Sequence, residues 1–172
     1  MSAEPTSLTG TLTSDELRAE RVRFCSRCGA ASDARGPSGP EPGLERVCVE
    51  CGMGVLLTCA REAMPDRSDV FLVVTEDLSI SAVSEAGEGV FGSEASLVGS
   101  SLLSSISSPL GDDKLTRLIA EAATGSREVH TIPLYAAGPR ARRFRRLDGR
   151  IATCGPPRAA LIVVAGRFDG RR

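Results

Sequence analysis

Tryptophan is absent from the sequence, and tyrosine, histidine and lysine occur once each, as Tyr135, His130 and Lys114. A single imidazole leaves one possible base for a serine or cysteine nucleophile, and nothing ties His130 to one. The glycine-rich stretch Gly87-Glu88-Gly89 falls inside a predicted helix rather than between a strand and a helix, so it is not a phosphate loop. The chain therefore reads as non-enzymatic. No apolar run approaches the roughly 18 residues that a bilayer-spanning helix needs. Met1–Gly10 also lacks the basic and apolar regions of a secretory leader. The expectation is a cytoplasmic protein without membrane contact. Net charge is −1, but its distribution is uneven. Arg67–His130 carries 4 basic and 10 acidic residues, and Thr131–Arg172 carries 10 basic and 2 acidic.

Six cysteines are present, and four have a recognisable spacing. Cys25 and Cys28 form one C-x2-C pair, Cys48 and Cys51 a second, with nineteen residues between them. Two residues between thiolates let one tight turn aim both sulfurs at one ion, and a second pair completes a tetrahedron. Gly29 and Gly52 follow the pairs and permit the positive φ that closes such a turn. The pattern resembles a zinc ribbon. Four sulfurs leave no open position, which implies a structural Zn2+ rather than a catalytic one. Disulfides, which need an oxidising compartment, and plain core thiols are the bland alternatives. Cys59 and Cys154 lie outside the ligand spacing and read as a half-buried free thiol and a strand-end packing residue.

Along the chain, Met1–Thr11 is rich in Ser, Thr and Pro, and disorder is expected. Thr13-Ser14-Asp15-Glu16 has the form of a capping box. It predicts a short helix over Ser14–Arg23 that docks on the core, pairs with a second chain or simply frays. The ribbon occupies 24–66. Within it Ser32–Gly43 is expected to be an irregular, mobile loop, and strands are expected at Leu44–Val49 and Val55–Cys59. Pro65 marks a boundary. Val70–Val74 is unbroken apolar and β-branched, a strand covered on both faces. Leu78–Val83 alternates. Ser84 caps a helix over Glu85–Phe91, ended by Gly92. A helical turn follows at Ser93–Val98, then the apolar segment Leu102, Leu103 and Ile106. Asp112–Ala123 has Leu115, Leu118, Ile119 and Ala122 at helical spacing, and Gly125 stops it. Glu128–Tyr135, Phe144–Thr153 and Arg158–Arg167 read as strands, with Gly-Pro turns between them.

Two strands, short helices, a longer helix and three strands over 67–168 resemble a PAS domain. The residues carrying the likeness are Val70–Val74 with Glu76-Asp77, Ile80, Ser84-Glu85-Ala86, Phe91-Gly92 and Leu97-Val98-Gly99. The fold class expected is α+β, a small zinc ribbon followed by a five-stranded antiparallel sheet with helices on one face. The fold-level rival is another small α+β module, such as a GAF-like one. The resemblance implies a sensor or dimerisation module. Its pocket would be lined by Val90, Phe91, Leu103, Ile106, Leu118, Ile132 and Leu161, and would take a small apolar ligand or none. Flavin adduct chemistry is excluded, because no cysteine lies between Ala60 and Thr153. Haem is not expected, because His130 falls on a strand after the helix where haem-binding relatives place their ligand.

Val70–Val74 and Ala159–Ala165 are apolar on both faces, yet helices cover only one. The other face needs a cover, and the candidates are a second subunit, the Ser14–Arg23 helix or the ribbon. The partners implied are a second copy of the chain or a signalling protein, reached through that outer face. The run Arg140, Arg142, Arg143, Arg145, Arg146 and Arg150 supports the rival function, a transcription-associated nucleic-acid binder. The bland reading pairs these arginines with the acidic half of the same domain, and thin aromatic interleaving leaves little for bases to stack on. A third reading makes the four cysteines a redox- or zinc-responsive switch.

Overall fold

A computed structural model of the chain describes residues 21–32, 46–137 and 147–165. Nine strands among them join one antiparallel sheet. The strands are β1 (Arg21–Cys25), β2 (Ala31–Ser32), β3 (Leu56–Ala60), β4 (Val70–Val74), β5 (Ile80–Val83), β6 (Ile106–Ser107), β7 (His130–Ala136), β8 (Leu147–Gly155) and β9 (Ala159–Ala165). Three α-helices accompany them: α1 (Glu85–Phe91), α2 (Glu94–Leu97) and α3 (Asp112–Ala123).

The sheet runs β2-β1-β3-β8-β9-β4-β5, with β7 also on β8 and β6 on β7. β8 joins its two parts. One edge of β8 pairs with β9 over Asp148–Cys154. The other edge is shared, with β7 taking Leu147–Ile151 and β3 taking Cys154 and Gly155. The expected sheet of five antiparallel strands is present as β4, β5, β7, β8 and β9, but it does not end there. The ribbon strands β1, β2 and β3 continue it. Strand-to-strand pairing across 95 positions leaves no periodic trace, so nine strands were not readable from the pattern.

Alternation divides the apolar residues between two faces. Val70, Leu72, Val74, Ile162 and Val164 pack with Val90, Leu97, Leu102, Leu115, Leu118 and Ile119 under the helices. Phe71, Val73, Leu161 and Val163 face the opposite way and pack with Phe24, Leu57 and Cys59 of the ribbon. The apolar face that required a cover is thus covered within the chain, by the ribbon. Phe24 has no exposed surface and meets Phe71 edge to face, with ring centroids 5.8 Å apart at 83°. That geometry suits the aromatic quadrupole.

Ser84 ties the helical side to the sheet as its cap position predicts. Its buried Oγ accepts from Gly87 N–H at 3.0 Å and from Phe71 N–H at 2.9 Å, and it donates to the Asp69 carbonyl at 3.2 Å. Asp112 and Asp113 lie in the first turn of α3, where negative charge complements the helix dipole.

Two expectations are corrected. The helix over Ser14–Arg23 does not reach its end, because Arg21–Arg23 belong to β1 and pair with Thr58–Ala60 of β3. Burial of Phe24 against Phe71 outweighs the local cap signal, and residues 14–20 lie outside the described residues. Leu161 does not share a face with the other six expected pocket residues, because Ala160, Ile162 and Val164 take the helix side and its parity turns it to the ribbon. The loop expected at Ser32–Gly43 and the arginines from Arg140 to Arg146 also lie outside the described residues, Ser32 excepted.

Candidate metal centre

Two turns of matching construction carry the four cysteines. In the first, Gly29 N–H donates to the Cys25 carbonyl at 3.0 Å, with Gly29 at φ +67°. In the second, Gly52 N–H donates to the Cys48 carbonyl at 2.8 Å, with Gly52 at φ +69°. An L side chain rarely adopts that conformation, which is why glycine follows each pair. Ser26 stitches the turns together. Its N–H donates to the Val55 carbonyl at 2.9 Å, and its Oγ accepts from Val55 N–H at 3.0 Å.

All four sulfurs lie within 4.8 Å of one another. Cys25 and Cys51 Sγ are 3.6 Å apart, and Cys28 and Cys48 Sγ 3.8 Å apart. A tetrahedron with Zn–S distances of about 2.3 Å has edges near 3.8 Å. The four cysteines could therefore hold a metal such as zinc with little adjustment. They are all free thiols, Cys25 and Cys48 being buried. Backbone amides already point at the sulfurs. Arg27 and Cys28 N–H each donate to Cys25 Sγ at 3.4 Å, and Gly54 N–H to Cys51 Sγ at 3.4 Å.

These contacts set the thiol chemistry. Burial pushes Cys25 up to about 12, against the opposing pull of the Cys28 and Arg27 amides. Burial raises Cys28 as well. The amides of Gly54 and Met53 bring Cys51 down to about 6, so it is mainly thiolate at pH 7. Metal binding at pH 7 must then expel protons from Cys25 and Cys28 at the least. Affinity should rise by about a hundredfold or more per pH unit near neutrality. Below pH 6 Cys51 also takes up a proton and the slope steepens. Competition with a chelator at pH 5.5, 7 and 8 checks this, and a flat profile would contradict it.

Sequence spacing did not disclose the support given by Arg27 and Gly54, nor how closely the chain packs around Gly29. Arg27, between two ligands, reaches Glu94 Oε2 through Nη1 at 2.7 Å and Glu88 Oε2 through Nη2 at 3.8 Å. Its carbonyl accepts from Glu85 N–H at 2.9 Å. Gly29 sits so close to the chain that a Cβ there would collide with the Asp66 carbonyl and lie 3.3 Å from Phe71 Cε1. At Gly54 a Cβ would collide with Cys25 Sγ and come within 3.0 Å of Arg27 Cβ. Gly54→Ala should weaken metal binding at least tenfold, about 1.4 kcal/mol. Gly52→Ala meets open space and carries only the φ penalty of about 1–2 kcal/mol. A chelator titration of both variants separates the two effects.

The other singled-out residues are placed as follows. Val90, Ile106, Leu118 and Ile132 are buried in the helix-side core, and Phe91 and Leu103 pack against it. Cys59 and Cys154 are direct register partners across β3 and β8, both buried. Burial raises each thiol to about 12, which makes them poor nucleophiles. Arg150 donates to the Glu62 carbonyl at 2.9 Å and lies 3.8 Å from Asp69 Oδ2, so it is engaged within the chain. No helix among the described residues is long and apolar enough to cross a membrane.

The fold and site together define a cluster of four cysteines that could hold a metal, built onto a curled antiparallel sheet in a mixed α/β fold. Comparison with protein-family models and with curated proteins finds no match.

Proposed function

We propose that the chain is a non-enzymatic regulatory protein in which a structural zinc ribbon braces a PAS-like interaction domain. The tetrahedral spacing of the four sulfurs supports the zinc. The PAS-like reading is supported by the succession β4, β5, α1, α2, α3, β7, β8 and β9 in one antiparallel sheet with the helices on one face. Output by protein contact is preferred to a small apolar ligand, because a ligand between helices and sheet would have to part side chains that pack together, Ile106 and Leu118 among them. Self-association or signalling contacts would use a surface other than the outer sheet face, whose Phe71, Val73, Leu161 and Val163 the ribbon buries. The nucleic-acid reading gains nothing from Arg150, which is held by Glu62 and Asp69.

Native mass spectrometry of reduced protein should show one zinc ion per chain, retained through mild peroxide. Metal loss on oxidation would replace bracing with a redox switch. DNA or RNA binding that falls steeply with salt, and that Arg142→Glu with Arg146→Glu abolishes, would replace the regulatory reading.

A further inference from the structure

A cleft lies where the ribbon, the larger sheet and the end of α3 meet. It encloses about 260 Å3 and shares no residue with the four-cysteine centre. Its floor follows from strand parity. Val22, Cys59 and Cys154 join the apolar group around Phe71. The residues that alternate with them, Arg21, Thr58 and Thr153, therefore take the helix side of the sheet. The registers agree. Thr153 pairs with Ala160, which packs under the helices. Thr58 pairs with Gly155, and Arg21 and Thr153 are its diagonal neighbours on β1 and β8. Diagonal neighbours on one face are about 7–8 Å apart, within reach of a long side chain. Gly155 also lines the cleft and adds no side chain to fill it.

Arg158, in the turn between β8 and β9, forms the wall beside α3. Its Nη1 donates to the Thr124 carbonyl at 3.3 Å. A Cβ on Gly125 would stand 3.6 Å from Arg158 Cζ, so the guanidinium lies beside that lining glycine. A guanidinium has five N–H donors, and capping the helix takes one of them. Arg27, Arg67 and Arg150 each meet a carboxylate. Arg21 and Arg158 form no ion pair among the described residues, and no acidic residue is among those lining the cleft. Two guanidiniums and two hydroxyls thus border one cavity without a counter-charge. Like charges beside one cavity repel, and an anion between them converts that repulsion into attraction.

We infer that this cleft binds a small phosphate-bearing anion. The planar fork of arginine matches phosphate oxygens two at a time, and threonine hydroxyls can donate to those that remain. A carboxylate monoanion brings one charge and two oxygens, and leaves one arginine unserved. Sites for drug-sized ligands enclose about 300–1,000 Å3. The smaller volume here suits inorganic phosphate or a short phosphate monoester rather than a nucleotide. Arg21 and Thr58 belong to the ribbon strands, whereas Thr153 and Arg158 belong to β8 and the turn after it. The bound anion therefore ties the ribbon to the larger sheet, and any ligand held only by the docked arrangement favours it. The inference does not depend on which metal, if any, the cysteines hold.

The test titrates the reduced full chain, in phosphate-free buffer at fixed ionic strength, with inorganic phosphate, glycerol phosphate and acetate. The amide signals of Thr58, Gly125 and Thr153 should shift saturably with both phosphates, and acetate should bind about tenfold more weakly. Arg21→Gln, at the exposed end of β1, should weaken phosphate binding about tenfold, the worth of one charge-assisted hydrogen bond. Arg158→Gln also gives up the bond to the Thr124 carbonyl, so Arg158→Lys is measured beside it. Arg158→Lys keeps the charge without the fork, and its affinity should fall between those of the parent and Arg158→Gln. Tighter binding of glycerol phosphate than of inorganic phosphate assigns the cleft to a phosphorylated small molecule. Equal or weaker binding assigns it to free phosphate. The absence of saturable shifts at these amides, acetate affinity equal to that of phosphate, or undiminished binding by Arg21→Gln would overturn the inference.

Discussion

Cys25→Ser is expected to abolish stoichiometric metal binding and to remove about 5 kcal/mol or more of stability from the zinc-loaded protein. Apparent free energies of structural zinc binding are about 10–16 kcal/mol, against a total stability of about 5–15 kcal/mol for an ordinary domain. Cys25 is fully buried at the end of β1, opposite Leu56 of β3. Its sulfur collects two amide hydrogen bonds and lies 3.6 Å from Cys51 Sγ. A serine oxygen is shorter and harder, so it fills neither role. Loss of the ion should loosen β1 and β3 and uncover Phe71, Val73, Leu161 and Val163, which the ribbon buries. Elemental analysis gives the stoichiometry, and urea unfolding with and without chelator gives the energy. An environment-sensitive apolar dye should bind the variant and not the zinc-loaded parent. Full metal retention by Cys25→Ser would dismiss the four-sulfur centre.

Phe24→Ala should cost about 3–5 kcal/mol, the range for deleting a fully buried aromatic side chain, while leaving metal stoichiometry at one. Phe24 touches no sulfur's role as ligand. It fills the space between ribbon and sheet, edge-on to Phe71. The two substitutions therefore attack the same interface by different routes, one through the ion and one through packing. Combining them should give less than the sum, because ion and ring support one shared structure. Full additivity would mean that ribbon folding and ribbon docking are independent.

Much of this architecture was legible in the residues. Ser84 announced the start of α1, and Leu115, Leu118, Ile119 and Ala122 traced α3 at its helical period. The cysteine spacing announced the centre, because two residues between ligands is a local constraint. What escaped notice was non-local. Thr13–Glu16 has a helix-start pattern, yet Arg21–Arg23 pair as strand with residues 58–60. Val70–Val74 and Ala159–Ala165 contain no polar residue to set their parity, so the side that Leu161 faces could not be assigned. The bond from Arg27 to Glu94 spans 67 positions and follows no period. The pairing of β6 with the end of β7 could not be read either, because a two-residue strand leaves no pattern.

The wiring of the sheet has a consequence for biogenesis. β3 pairs with the end of β8, and β4 lies against β9, both far along the chain. As the polypeptide emerges from the ribosome, the cysteine turns can close early, since their ligands lie within 27 residues. The apolar strand β4 gains β5 at once, but its other neighbour, β9, begins only at Ala159, 85 positions after Val74. Metal availability during translation would then decide whether the nascent chain has a preformed cap ready to shield that strand, or leaves it open to aggregation and chaperones.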